Sequence, residues 1–114
     1  MQPKSLKLIE DIREAAAFIR DATQSSSLQK YRQDKLLRFA VERNFEIVGE
    51  AIKRLAGLDQ ATAARIGDYQ QIIAFRNVLI HGYDLVDHEL VWSTIENQVP
   101  KLLNDVESIL SANT

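Results

Sequence analysis

Arg76 and His81 are the residues on which chemistry could rest. Arg76 lies among Ile72 and Ile73, one helical turn before it, and Leu79 and Ile80, one turn after. A permanently charged guanidinium does not suit such an apolar face, because burying it unpaired costs several kcal/mol, on the order of the whole stability of a small domain. It therefore either has a dedicated carboxylate, with Glu46 and Glu50 as candidates, or lines a pocket that takes an anion. His81 follows five residues later, where the helix is about to end. A histidine can hold or release a proton near neutrality, but a histidine in a last helical turn is also what the helix dipole favours. The five-residue step turns about 140° around a helix, so Arg76 and His81 do not share one stripe. Asn77, four residues before His81, does share one with it. Tyr83 would return to the Arg76 face if the helix continued through Gly82; the ordinary reading is a half-buried ring with its hydroxyl in water.

The elements that must position these residues are helices. Leu8, Ile12, Ala15, Ala16 and Ile19 recur at three- and four-residue spacing, which predicts a first amphipathic helix over 4–22. A polar break, Thr23 to Ser27, precedes a second helix that starts near Ser27 or at Asp34, with Asp34 a suitable N-cap, and runs to Ala56 before Gly57. Its stripe is Leu37, Val41, Asn44, Val48, Ala51 and Leu55, with Asn44 standing where leucine would be expected. Asp59 suits the cap of a short helical turn, and Asp68 the cap of a helix over 69–81 that Gly82 ends. Asp87 has the N-cap look for a last helix, and Pro100 implies a kink there or two helices meeting. No period-two run, internal repeat or low-complexity tract occurs. The expected architecture is all-α, an antiparallel bundle of four principal helices with short connections, forming a single domain over 1–114. A bundle this small, apolar on more than one helix face, is expected to pair as a homodimer.

Composition narrows the classes of function. The chain has 114 residues, 14 Lys+Arg against 16 Asp+Glu, and no cysteine. Zero cysteines exclude disulfides, thiol chemistry and thiolate metal sites, and a reducing cytoplasm is the expected location. No apolar run approaches the roughly 20 residues of a membrane span, and the N-terminus does not read as a signal peptide. A net charge of −2 argues against holding nucleic acid by bulk positive charge. The mixed patch Lys30, Arg32, Lys35, Arg38 and Arg43, diluted by Asp34 and Glu42, reads first as a solvated helix face and second as a polyanion contact. His81, Asp84, Asp87 and His88 match no familiar metal-ligand spacing, so neither metal nor cofactor is expected. His88 reads as a surface residue at a helix start and Trp92 as core or dimer packing.

The segment Phe75-Arg76-Asn77-Val78-Leu79-Ile80-His81-Gly82-Tyr83 resembles the Arg-x4-His-x-Tyr motif of HepT-like ribonuclease toxins in the HEPN superfamily. Val41 to Ala51, with Glu42, Arg43, Asn44, Gly49 and Glu50, resembles that family's second-helix signature. Val91-Trp92 through Pro100 to Leu103 resembles its last-helix pattern. Three blocks in register span most of the chain. The resemblance implies a dimerising all-α bundle in which the motifs of two protomers meet in a cleft and cleave RNA without metal. It implies Arg76 and His81 as catalytic residues and Asn77 in support. It also implies an antitoxin partner, an MNT-type nucleotidyltransferase, that transfers AMP to Tyr83.

Metal-free RNA cleavage needs a base for the 2′-hydroxyl, an acid for the leaving oxygen and a cation for the phosphorane. One histidine cannot be base and acid in the same step, whereas two copies across a dimer axis can. Arg76 would clamp the phosphate, and Asn77 would orient His81 or donate to the phosphate. Two other classes stay open. The chain could be a non-catalytic helical module that binds a nucleotidyltransferase and presents substrate to it, or a structural dimer in which Arg76 serves an ion pair.

Overall fold

A computed structural model describes residues 1–82, 84 and 86–113. Among them lie seven helices and no strand: α1 (Pro3–Thr23), α2 (Leu28–Gln33), α3 (Lys35–Leu58), α4 (Gln60–Ala63), α5 (Tyr69–His81), α6 (His88–Asn97) and α7 (Val99–Ala112). The all-α reading holds, with α1, α3, α5 and the α6–α7 pair as the principal elements.

The caps explain the boundaries. Ser27 accepts from the Lys30 backbone N–H to start α2, and the Asp34 carboxylate accepts from Leu37 N–H to start α3. The segment expected to run from Ser27 or from Asp34 is thus two helices, because Asp34 has extended backbone and competes for the helical hydrogen bonds. Arg38 closes the break by donating from Nη1 to the Arg32 carbonyl at 2.5 Å, putting a cation on the C-terminal end of α2. Gly57 does not stop α3, which ends at Leu58 under Asp59. Asp59 then accepts from both N–H and Oγ1 of Thr62 to begin α4, and these bonds hold its carboxyl below the usual range. Asp68 stands at the start of α5 but caps nothing with its side chain; its φ of 60° makes it the left-handed residue that turns the chain into α5. Asp87 accepts from Glu89 and Leu90 to start α6. Pro100 opens α7 rather than bending one long helix, since the first turn of a helix has no use for its missing N–H.

α3 is the spine, packing against α1, α2, α4 and α5, while α7 lies on α1 and α6. The core runs along its buried face through Val41, Phe45, Val48, Ala51, Ile52 and Leu55. Asn44 falls at the rim of this stripe, where its amide donates to the Ala40 carbonyl. Phe45, rather than Asn44, fills that level of the core.

Tyr31 and His88 join α2 to α6 in a way the sequence did not suggest. Tyr31 is fully buried, edge-on to His88 at 6.2 Å and tilted against Trp92 at 5.6 Å. His88 starts α6 as expected but is half-buried rather than fully on the surface, and its Nδ1 is buried with no hydrogen-bond partner among the described residues. Burial, with the nearby Arg38 and Arg32 cations, lowers the His88 pKa against the smaller pull of Asp87. In the unfolded chain a histidine takes its proton near pH 6.5, whereas folded His88 stays neutral to lower pH. Below about 6.5 the unfolded state therefore binds more protons, and His88 makes stability fall as the pH drops. The thermal midpoint should decline between pH 7 and 5.5, and the His88→Phe variant should show a shallower decline. Equal slopes would remove His88 as the cause.

Candidate active site

α5 crosses α3 at Gly49. A β-carbon at that position would collide with Cβ of Arg76 and stand 2.6 Å from its Cγ. Only a glycine lets the stem of Arg76 lie on the α3 backbone. The next residue, Glu50, then receives Nη2 of Arg76 on Oε2 at 2.9 Å. Of the two carboxylates considered from sequence, Glu50 is the partner, while Glu46 stands 3.6 Å from Arg43. Oε1 of Glu50 also takes Nε of Arg54 at 3.0 Å, so one carboxylate bridges two guanidinium groups. Arg76 is 19% exposed, and its Nε is buried without a partner.

The second terminal nitrogen of Arg76, Nη1, donates to Oδ1 of Asn77 at 3.0 Å. Asn77 is exposed, four residues before His81, on the solvent face of α5. The guanidinium therefore reaches from the α3-facing side of α5 toward the stripe that Asn77 and His81 share. No hydrogen bond joins His81 to either residue among those described, and His81 is exposed in the last turn of α5. The amide nitrogen of Asn77 makes no hydrogen bond among them. Tyr83 lies outside the described residues.

Beside Arg76 a cleft of about 450 Å³ opens between α1, α3 and α5. Arg43, Arg54 and Arg76 face Asp11, Glu46 and Glu50 there, three cations against three carboxylates, with Leu8, Ile47 and Ile80 between them. The basic patch proposed from sequence is largely engaged elsewhere. Arg38 caps α2, Arg32 approaches Glu89 at 3.4 Å, Arg43 pairs with Glu46, and Lys35 lies 5.5 Å from the Phe39 ring. A solvated, internally paired face describes it better than a phosphate track. No group of three His, Asp or Glu among the described residues could hold a metal ion. No helix among the described residues is long and apolar enough to cross a membrane.

The described residues form a small all-α protein in which the short α5 lies across the long central α3. Residues 12–109 match the protein family described as Ribonuclease HepT-like, and the chain belongs to that family. It is 32% identical over 101 residues to the "Probable ribonuclease HepT" of Thermococcus cleftensis, covering 89% of this chain and 91% of that protein. It is 29% identical over 99 residues to a protein of Methanocaldococcus jannaschii named as a candidate RNase, covering 87% and 90%. A protein of Caldanaerobacter subterraneus subsp. tengcongensis named in the same way is 29% identical over 102 residues, with 90% of each chain covered. No solved structure gives a significant match.

The two interior glycines of α3 make a paired test of the crossing. Gly49→Ala should destabilise by about 1–3 kcal/mol through overpacking against Arg76. Gly57→Ala, with open space around its β-carbon, should stabilise by about 0.4–1 kcal/mol through the unfolded state. Denaturant unfolding of both variants checks this; a neutral Gly49→Ala would mean that α5 does not press on α3 there.

Proposed function

We propose that this chain is a metal-independent endoribonuclease toxin acting as a homodimer, with its 114 residues as one domain. The observation that carries the proposal is the Arg76–Asn77 hydrogen bond, which turns a half-buried guanidinium toward the face bearing His81. Membership in a ribonuclease family supports RNA as substrate. In the reaction, His81 of one protomer takes the proton of the 2′-hydroxyl as that oxygen attacks phosphorus. His81 of the partner subunit gives a proton to the departing 5′-oxygen, leaving a 2′,3′-cyclic phosphate. Arg76 and the free amide of Asn77 hold the phosphorane oxygens, a role in which preorganised donors commonly contribute a hundredfold or more. Exposed Val78, beside Asn77 on the outer face of α5, is the apolar residue that supports pairing there.

Control of the toxin follows from position in the sequence. AMP transferred to Tyr83 by an MNT-type nucleotidyltransferase antitoxin adds bulk and negative charge two residues from His81, where it competes with RNA for the arginines. The Arg76–Glu50 pair favours a second reading, in which Arg76 is structural and the chain is a non-catalytic binding module for that transferase.

Arg76→Lys separates the two, because lysine keeps a charge beside Glu50 but loses the planar fork. The nuclease reading expects Arg76→Lys and His81→Ala to lower cleavage of a mixed tRNA and mRNA pool in EDTA at least about a hundredfold, with thermal midpoints near that of the wild type. The binding-module reading expects no RNase in any of the three proteins. Val78→Glu should dissociate the dimer and lose cleavage with it. Full activity from a monomeric Val78→Glu protein would overturn the two-histidine mechanism.

A further inference from the structure

On the other side of α5 from Arg76 lies a second groove, of about 270 Å³, floored by apolar side chains of α3, α5, α6 and α7. We infer that this groove binds one nucleobase of a single-stranded RNA, an inference that rests on the ribonuclease reading above. Three features commit it to that occupant. The first is an aromatic wall: half-buried Phe75 lines the groove, and the buried ring of Phe45 holds it edge-on at 5.1 Å and 88°. Unpaired bases stack on such walls, which is how proteins ordinarily capture single-stranded RNA.

The second feature is the rim. Gln71, Gln98 and Asn97 line the groove, and no described lining residue carries a charge. Asn97 donates through Nδ2 to Oγ of Ser93 at 3.1 Å, which leaves its carbonyl free. The amides of Gln71 and Gln98 make no hydrogen bond to the described lining residues. The groove thus offers donors and acceptors side by side and neutral, the complement of a base edge and a poor match for phosphate or ammonium. The third feature is position. Phe75 precedes Arg76 in the chain and stands about 100° from it around α5. Asn77 and His81 lie the other way around the helix, so a strand with one phosphate at Arg76 that crosses the outer face of α5 past them places a base several nucleotides further along against Phe75. The groove would then choose where the RNA is cut, without touching the scissile phosphate.

The test has a binding arm and a cleavage arm. The side-chain amide NMR signals of Gln71, Asn97 and Gln98 are followed while adenosine, guanosine, cytidine and uridine are each added to the full-length protein. In parallel, cut sites in a random RNA pool are sequenced for wild type, Gln71→Ala, Asn97→Ala and Phe75→Leu. The groove predicts that one or two nucleosides shift the amide signals. It also predicts that one base is favoured about tenfold at a fixed distance from the cut, and that the bias is lost in the variants. Amide signals unmoved by all four nucleosides, with the cut-site bias unchanged in the variants, would overturn it. So would signals that move only with protein concentration, which would mark the groove as the seat of a second copy. Nucleoside-induced shifts in a protein that cuts no RNA would support the groove and sink the ribonuclease reading instead.

Discussion

The arrangement depends on one close crossing, where the stem of Arg76 lies on the backbone of α3 at Gly49. A glycine inside a helix costs roughly 1 kcal/mol relative to alanine. Here the cost is offset by contact, because the missing side chain is replaced by the methylenes of Arg76. The crossing also sets the electrostatics. With Gly49 beneath the stem, the following Glu50 meets the guanidinium head, and the remaining donor points along α5 to Asn77. One position thus decides the spacing of two helices, the pairing of a charge and the direction in which that charge is presented.

The balance of charge around Arg76 constrains how an anion could be held. Glu50 is shared between Arg54 and Arg76, and the whole cleft has as many carboxylates as guanidinium groups. With a net charge of −2 on the chain, no long-range positive field draws in a polyanion. Binding must come from a few directed hydrogen bonds at short range, which makes for a shallow salt dependence compared with proteins that track many phosphates.

The fold was legible in the sequence because helices announce themselves through periodicity and caps. Ser27, Asp34, Asp59 and Asp87 all cap as their types suggest. What misled was context. Gly57 looks like a stop, yet Asp59 two residues later ends the helix, and Asn44 has the spacing of a core position although Phe45 beside it carries the stripe. Glu50 as a partner of Arg76 was readable as one of two choices; only the crossing point, a tertiary fact, selects it from Glu46. Tyr31, His88 and the groove at Phe75 were not readable as contacts at all. Their partners are far apart in sequence, and an amide rim composed of Gln71, Asn97 and Gln98 carries no local pattern.

α5 has one principal neighbour, α3, and only Ile72 and Leu79 of its thirteen residues are buried. The spine helix by contrast buries seven residues and touches four other elements. Native proteins open in cooperative units whose free energies follow such differences in buried contact. Backbone amides of α5 are therefore expected to exchange with solvent through local opening of that helix before those of α1, α3 and α7. A ligand that settles on the outer face of the segment bearing Arg76 and His81 would then slow its exchange without tightening the core.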